Sequence, residues 1–187
     1  MGNESKLSNP IGLWDQGWPQ SSIEFEKLVE VYLDRLVLSA FRRVGNLHDA
    51  EDIVQEVFVR AYSERSKRKN ISSVGPYIYR MVFNACTDTL RKRKKSGKSI
   101  ESIQDSEIFG EKNNPAEMAA AKDELYRVEE LLRLLPRVQA EVIRLRVFDE
   151  LRLSEIAEII GCSINTVRSR LLYGFRKLRK IVSREQK

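Results

Sequence analysis

The sequence has little of the material from which catalytic and metal sites are built. Its 187 residues include one histidine, His48, and two cysteines, Cys86 and Cys162, which lie far apart in the chain. Zinc sites require closely spaced cysteine and histidine ligands, and an activated nucleophile requires a base beside it. We therefore expect no enzymatic activity and no metal or other cofactor. The cysteines are predicted to be buried, reduced thiols, and His48 is predicted to lie at the surface.

The sequence also lacks a long apolar segment. No run approaches the roughly 20 apolar residues that span a bilayer, and no secretory signal peptide precedes the first predicted helix. We therefore expect a cytoplasmic protein without membrane insertion.

Charge, in contrast, is abundant and unevenly distributed. The net charge of +6 combines a basic block at Arg91–Lys98, a second one at Arg176–Lys187 and an acidic stretch between them. The acidic stretch contains residues that favour loops, among them Gly110 and Pro115, and is predicted to be a linker. Basic blocks in two helical regions indicate a polyanionic partner whose binding weakens with salt, either a nucleic acid or an anionic membrane surface.

The first helical region follows about twenty residues that are rich in Asn, Gly, Pro and Ser and are predicted to form a mobile tail. This tail contains Trp14 and Trp18, which could pack on the following domain or bind a partner. Apolar residues then recur at helical spacing from Ser22, the predicted N-cap, to Gly45, which predicts a long amphipathic helix. The stripe consists of Phe25, Leu28, Val29, Tyr32, Leu33, Leu36, Val37, Ala40, Phe41 and Val44.

A second amphipathic helix is predicted over Asp49–Tyr62, with a predominantly acidic outward face. Taken alone, such a face is typical of a solvated surface. The predicted buried stripe is Ala50, Ile53, Val54, Val57, Phe58, Ala61 and Tyr62.

A third helix is predicted from near Pro76, after a basic loop over Ser63–Gly75. Polar and aromatic residues at spacings of three or four share one face of this helix, and the apolar residues between them can pack inward. An aromatic ring, an amide and arginines on one face suit single-stranded nucleic acid, because rings stack on bases and arginines bind phosphates. Local pairing of Asp88 with Arg91 explains part of the pattern equally well. The shared face is Tyr77, Arg80, Asn84, Asp88 and Arg91, and the inward residues are Ile78, Val82, Cys86 and Leu90.

The segment Leu153–Leu178 consists of a short apolar helix, a break at Gly161 and a longer helix. This pattern predicts a helix-turn-helix, because the two apolar stripes have to pack on each other across a tight corner. The second helix then presents basic and polar residues of the kind that contact base edges in the major groove. The alternative is a plain helical hairpin with a solvated charged face. The apolar positions are Ile156, Ala157, Ile160, Val167, Leu171 and Leu178, and the outward positions are Arg168, Ser169, Arg170, Tyr173, Arg176 and Lys177.

Three blocks of the sequence resemble, in order and spacing, the extracytoplasmic function (ECF) group of the sigma-70 family of bacterial RNA polymerase sigma factors. The blocks are DAEDIVQEVFVRAY at Asp49–Tyr62, PYIYRMVFNACTDTLRKRKK at Pro76–Lys95 and LLRLLPRVQAEVIRLRVFDELRLSEIAEIIGCSINTVRSRL at Leu131–Leu171. The resemblance implies an all-α protein with two small helical domains joined by a flexible acidic linker, the second domain containing the helix-turn-helix. It divides the chain into an N-terminal tail (1–20), a region 2 domain (21–95), the linker (96–122) and a region 4 domain (123–187).

The resemblance also implies three binding surfaces. The first block would dock on a coiled coil of the largest polymerase subunit, an encounter that complementary charge would orient. The second would recognise and melt the promoter's minus-ten element, with an extruded base facing Asn84 and the run Arg91–Lys95 on duplex phosphates. The third would read the minus-thirty-five element as duplex, while its first helices, around Leu131–Val147, touch the polymerase flap.

The residues implied for each surface can be named. Core polymerase binding is assigned to Asp49, Glu51, Asp52, Gln55 and Glu56. Binding of the minus-ten element is assigned to Arg65, Lys67, Arg68, Lys69, Asn70, Tyr77, Arg80, Asn84, Asp88 and Arg91. Binding of the minus-thirty-five element is assigned to Asn165, Thr166, Arg168, Ser169, Arg170, Tyr173, Arg176 and Lys177.

The implied function is to direct core polymerase to promoters, with an anti-sigma factor as a further partner and with two domains that are otherwise independent. Some residues depart from the family pattern. Tyr77 stands where the family commonly has tryptophan, and Phe83 where it often has a polar or basic residue. Tyr173 and Gly174 replace a basic residue and an alanine that are frequent in the recognition helix. Tyrosine can still stack on a base, but these changes leave the promoter sequence unpredicted.

Two other functions remain open at this point. A transcriptional regulator that binds an operator as a dimer through its helix-turn-helix would leave the first two blocks unexplained. An amphipathic adaptor that binds anionic membranes or acidic proteins through its basic ends would bind without promoter preference.

Overall fold

The computed structural model describes residues 17–67, 71, 73–96 and 127–185, and every regular element within these ranges is a helix. The predicted all-α class is confirmed. Residues 97–122 of the predicted linker and residues 1–16, with Trp14, lie outside the described residues. The helices are α1 (Ser22–Val44), α2 (Leu47–Ser63), α3 (Val74–Lys95), α4 (residues 127–133), α5 (Arg137–Val147), α6 (Leu153–Ile160) and α7 (Ile164–Glu185), with a short 3-10 turn at Arg65–Lys67.

The start of α1 is fixed by a capping box, in which side chain and backbone cap each other. The Ser21 hydroxyl accepts a hydrogen bond from the backbone N–H of Glu24, and the Glu24 carboxylate accepts one from the N–H of Ser21, both at 3.2 Å. The N-cap is therefore Ser21, one residue before the predicted Ser22. The helix ends at Gly45, whose φ of 77° is the left-handed conformation that glycine adopts without strain.

Helices α1, α2 and α3 form a bundle around the predicted apolar stripes. The stripe residues are mostly buried, but Leu33 is 40% exposed and Tyr62 is 36% exposed. The predicted burial of Tyr62 was therefore wrong. Both lie at the edge of a stripe, where the packed face of a helix gives way to solvent. The inward residues of α3, including Ile78, Val82 and Cys86, are buried as predicted, whereas Leu90 is half-buried.

The C-terminal helices pack with Gly161 at the predicted corner between α6 and α7, where its φ is 72°. Of the predicted apolar positions, Ile156, Ala157 and Val167 are buried, and the other three are half-buried. A separate small cluster consists of Leu132, Leu135, Ala140 and Ile143. Cys162, next to the corner, is half-buried and not buried as predicted, because the turn leaves one side of it open.

The N-terminal and C-terminal halves pack against each other, so the expected independence of the two domains was wrong. Helix α6 lies on α3, and one continuous apolar core includes residues of both halves, from Tyr32 and Cys86 to Leu145 and Ile156. The guanidinium of Arg137 on α5 also donates a hydrogen bond to the Thr87 hydroxyl on α3 at 3.3 Å. Sequence periodicity describes which face of a helix is apolar but not which distant helix covers it.

The prediction that the N-terminal tail is mobile was wrong for its last residues. Trp18 and Pro19 are buried on the bundle, and the amide of Gln20 donates a hydrogen bond to the carbonyl oxygen of Trp18 at 2.9 Å. Packing on the following domain is therefore the use that the structure assigns to Trp18. Among the helices in the described ranges, none has the length and apolar character to cross a membrane.

Candidate nucleic-acid and partner interfaces

The acidic face of α2 is exposed as its sequence pattern predicts. Glu51, Asp52, Gln55 and Glu56 all point to solvent, and His48 sits beside Asp52 with Nδ1 3.6 Å from a carboxylate oxygen. Asp49 differs, because its carboxylate is paired with the guanidinium of Arg93 on α3. Asp49 is thus partly engaged within the chain, although its side chain is still 41% exposed.

An apolar groove between α1 and α2, which sequence reasoning missed, runs beside this acidic face. It encloses about 710 Å³ and is lined by apolar side chains from both helices, with Glu51 and Gln55 at its edge. Val59 in this groove is 64% exposed. The width of the apolar stripe of α1 could have indicated this groove in the sequence, since Leu33 and Val37 lie at the margin of the stripe.

A second groove lies between α2 and α3 and encloses about 350 Å³. Four of the five residues predicted to share one face of α3 line it together: Tyr77, Arg80, Asn84 and Asp88. The opposite wall, from α2, is Ile53, Glu56, Val57 and Arg60. The groove thus offers an aromatic ring, an amide and arginines within one concave surface, and these groups can stack on an unpaired base, pair with its edge and bind its phosphates. The carboxylates of Glu56 and Asp88 lie in the same groove and would repel phosphates close to them.

The remaining residues assigned to this surface are positioned differently. Arg91 does not line the groove, and its guanidinium donates a hydrogen bond to Asp88 at 3.2 Å, the local pairing that the alternative interpretation predicted. The Arg65 guanidinium lies over the ring of Tyr62, 3.9 Å from the ring centroid, and donates to the Tyr62 carbonyl oxygen. Lys67 is exposed, whereas Arg68, Lys69 and Asn70 lie outside the described residues.

Tyr77 makes an aromatic contact that the sequence did not predict. The Trp18 indole packs edge-to-face against the Tyr77 ring, with centroids 5.3 Å apart and ring planes at 88°. The N-terminal segment thereby contacts a residue that lines the groove between α2 and α3. No local spacing signals this contact, because the two rings are separated by the whole of α1 and α2.

The outward face of α7 is largely free for DNA. Arg168, Ser169, Tyr173, Arg176 and Lys177 are exposed, as is Asn165, whereas Thr166 and Arg170 are half-buried. The Ser163 hydroxyl accepts a hydrogen bond from the N–H of Thr166 at 3.1 Å, which begins the helix. Gly174 faces inward, where an added Cβ would lie 2.8 Å from Ile143 Cδ1, so α7 approaches α5 unusually closely at this point.

Buried charges join the two halves of the chain, in what we term the interdomain ion network. The Arg43 guanidinium of α1 lies 3.0 Å from a Glu141 carboxylate oxygen of α5 and 3.7 Å from one of Asp149. Asp149 also accepts a hydrogen bond from the Ser39 hydroxyl at 2.9 Å and lies 3.3 Å from the Arg42 guanidinium. The network is completed by Glu129 and Arg144, 2.6 Å apart, and consists of Ser39, Arg42, Arg43, Glu129, Glu141, Arg144 and Asp149.

Burial and the neighbouring charges act against each other on the pKa values of Asp149 and Arg43. Burial raises the pKa of Asp149, although the guanidinium groups of Arg43 and Arg42 act against that rise. Burial alone would lower the pKa of Arg43, but the carboxylates of Glu141 and Asp149 outweigh it, and the net pKa is raised. Arg43 therefore stays charged, and its charge holds two buried carboxylates from the other half of the chain.

Comparisons with known families match both halves of the chain. Residues 28–96 match the model of Sigma-70 region 2, and residues 125–178 match that of Sigma-70, region 4. The ECF RNA polymerase sigma factor SigW of Bacillus subtilis strain 168 is 29% identical over 163 residues, covering 83% of this chain and 87% of SigW. The RNA polymerase sigma factor SigV of the same strain is 33% identical over 149 residues, covering 78% of this chain and 83% of SigV.

Solved structures share the fold. The sigma factor RpoE of Bartonella quintana, in complex with the anti-sigma factor NepR, matches with a TM-score of 0.68 and 21% identity over 86% of this chain and 97% of RpoE. CnrH, in complex with the cytosolic domain of CnrY, matches with a TM-score of 0.66 and 22% identity over 87% of this chain and 90% of CnrH.

Proposed function

Because the chain belongs to the ECF group of the sigma-70 family, we propose that it binds RNA polymerase core enzyme and directs it to promoters. It is an RNA polymerase sigma factor that acts in transcription initiation. In this proposal residues 21–95 bind the polymerase and melt the minus-ten element, residues 96–122 link the domains, and residues 123–187 read the minus-thirty-five element. The chain itself catalyses no reaction, and it works in the cytoplasm on the chromosome.

The observation that carries the proposal is the groove between α2 and α3. Tyr77, Asn84 and Arg80 line one wall of it, and a flipped base needs a ring to stack on, an amide to pair with and a cation for its phosphate. Extruding a base from a duplex costs a few kcal/mol, which contacts of these three kinds offset. Asn84 is exposed and therefore accessible to such a base.

The acidic face of α2 is proposed to dock on the polymerase. Glu51, Asp52, Gln55 and Glu56 form an exposed surface whose charge would attract and orient a basic partner. The apolar groove beside it, between α1 and α2, would add buried area to the same interface, because charged residues border it and apolar residues form its floor.

The recognition helix α7 is proposed to enter the major groove of the minus-thirty-five element. Its exposed guanidinium groups, at Arg168 and Arg176, can reach guanine edges or phosphates. Tyr173, which is 57% exposed, adds a flat apolar surface at the same face.

We also propose an anti-sigma factor as a regulatory partner. RpoE of B. quintana was solved with the anti-sigma factor NepR bound, and its fold is shared by this chain. The open groove between α1 and α2 provides an apolar surface that such a partner could cover in competition with the polymerase.

Reconstituted transcription tests the proposal as a whole. Purified chain and core polymerase are combined on genomic DNA, and the 5′ ends of the transcripts are mapped. Initiation at discrete sites that requires the chain is the expected result. A folded chain that binds DNA at defined sites but supports no initiation would instead identify an operator-binding regulator.

Replacing the groove amide tests its assigned role. Asn84→Ala is expected to impair initiation on duplex promoters more than on templates with a pre-melted minus-ten region, because the lost contact stabilises the extruded base. Initiation rates on the two templates are measured in parallel. Equal impairment on both would assign Asn84 to base recognition alone and not to melting.

A further inference from the structure

We infer that Trp18 positions the Tyr77 ring, so that the segment ahead of α1 is a working part of the surface that binds the unpaired minus-ten strand. The inference rests on the proposed function of the groove between α2 and α3. It concerns a residue outside the part of the chain that matches Sigma-70 region 2, which begins at residue 28.

The contact between the two rings restrains Tyr77 in a defined orientation. Trp18 is only 4% exposed, and its indole meets the Tyr77 ring nearly at a right angle with a centroid distance of 5.3 Å. Edge-to-face contact is a favoured geometry for aromatic pairs and is lost when either ring rotates. Tyr77 lines the groove, whereas Trp18 does not, so Trp18 acts through Tyr77 and is a positioning residue.

The segment that carries Trp18 is itself held firmly to the bundle. The side-chain amide of Gln20 donates to the Trp18 carbonyl oxygen at 2.9 Å, and the backbone N–H of Gln20 donates to the Glu24 carboxylate at 2.8 Å. Pro19 between them is buried and has a restricted φ. The position of the indole is thus tied to the capping box of α1.

The restraint that Trp18 places on Tyr77 bears on how well this ring can stack on a base. Tyrosine offers a smaller surface for stacking than tryptophan, so its contribution depends on being held in the stacking orientation before the base arrives. Packing the larger indole behind Tyr77 supplies that restraint from a second residue.

The indole nitrogen of Trp18 provides a discriminating control. Its N–H is buried and has no hydrogen-bond partner among the described residues. A phenylalanine ring at this place therefore keeps an aromatic edge against Tyr77. It removes a donor that makes no hydrogen bond there, together with part of the buried ring area of the indole. Leucine keeps apolar bulk but has no ring to meet Tyr77.

The experiment compares Trp18→Phe, Trp18→Leu and Trp18→Ala in the full chain, assembled with core polymerase. The probe is a short fluorescein-labelled single strand that carries the nontemplate minus-ten sequence mapped from in vitro transcripts, and anisotropy gives the Kd. We expect Trp18→Phe to bind within about twofold of the parent, and Trp18→Leu and Trp18→Ala to bind about tenfold more weakly, in line with the loss of one well-placed stacking contact. Affinity for core enzyme and for minus-thirty-five duplex should stay unchanged in all three.

Tyr77→Ala and the double variant Trp18→Leu/Tyr77→Ala complete the design. If Trp18 acts through Tyr77, the double variant binds the strand no more weakly than Tyr77→Ala alone. Full strand affinity in Trp18→Leu, or additive losses in the double variant, would overturn the inference while leaving the function of the groove intact. Full strand affinity in Tyr77→Ala would instead overturn the proposed function of the groove.

Discussion

The two halves of the described chain bury their apolar residues in different ways. The N-terminal half, α1 to α3, contributes large buried side chains such as Phe25, Tyr32 and Phe41 to the main core. The C-terminal half has a small cluster of its own, and its other buried apolar residues continue into the N-terminal core. Both halves therefore contribute to one shared core, and the C-terminal half has in addition a small cluster of its own.

The halves also differ in the sign of the charge that they present at the junction. The N-terminal half contributes Arg42 and Arg43, and the C-terminal half contributes Glu141 and Asp149. Their outer surfaces have the opposite signs, with carboxylates along α2 and guanidinium groups along α7. The surfaces that are proposed to bind partners are thus kept apart from the charges that hold the halves together.

The largest effect is expected when the interdomain ion network loses its central cation. Arg43→Met leaves the buried carboxylates of Glu141 and Asp149 with weaker compensation, which should lower the free energy of unfolding by about 3 kcal/mol or more. Urea unfolding, followed by circular dichroism, measures the change. The matched control is Arg91→Met, whose pair with Asp88 is exposed and worth at most about 1 kcal/mol. Equal losses in the two variants would mean that the network contributes no more than a surface ion pair.

A smaller effect, on the affinity for core polymerase, is expected when charges are reversed on the acidic face of α2, in the N-terminal half. Asp52→Lys with Glu56→Lys should weaken core binding about tenfold, or about 1.4 kcal/mol, because the partner surface is expected to be basic. Duplex binding through α7 should not change. Since Glu56 also lines the groove between α2 and α3, Asp52→Lys alone gives the cleaner measurement.

The control for this charge reversal is Glu26→Lys, an exposed residue of α1 outside both grooves. Core affinity is measured by competition with a labelled parent chain. If Glu26→Lys weakened binding as much as Asp52→Lys, the effect would come from net charge and not from the α2 face. A simultaneous loss of duplex binding would indicate unfolding.

The smallest effect is expected in the reactivity of the two cysteines, of which Cys86 lies in the N-terminal half and Cys162 in the C-terminal half. Burial raises the pKa of Cys86 to about 11, so this thiol stays protonated and unreactive at neutral and mildly alkaline pH. Cys162 is half-buried at the corner of the helix-turn-helix. Iodoacetamide at pH 8 should therefore modify Cys162 first, with Cys86 protected until the chain unfolds, as followed by peptide mass spectrometry. Equal rates of modification in the folded chain would contradict the described packing of α3.

The sequence predicted the helices and most of their faces because apolar periodicity is a local property. The shared face of α3 was predictable in the same way, since Tyr77, Asn84 and Asp88 are separated by whole turns. The pairing of Asp49 with Arg93 was not predictable, because each residue is typical of a solvated helix surface and only tertiary packing brings them together.

For a related reason, local sequence patterns did not predict the contacts between the two halves. Arg43 and Glu141 are 98 residues apart, and each belongs to a helix whose charges would ordinarily be assigned to solvent. Asp149 lies in the turn before α6, next to Glu150 with its φ of 55°. No turn signal in the sequence indicates that this carboxylate points into another domain.

The packed junction determines how far the chain can reach along DNA. Elements centred near positions minus ten and minus thirty-five lie about 25 base pairs apart, or about 85 Å at the rise of duplex DNA. A compact chain of this length has a radius of gyration of about 16 Å and a diameter of about 40 Å. A sigma factor with its halves packed in this way spans only half of that distance. The proposed simultaneous contact with both elements therefore requires the junction to separate, and binding to polymerase and promoter has to offset the loss of the ion pairs of Arg43 with Glu141 and Asp149 and the exposure of the shared apolar core.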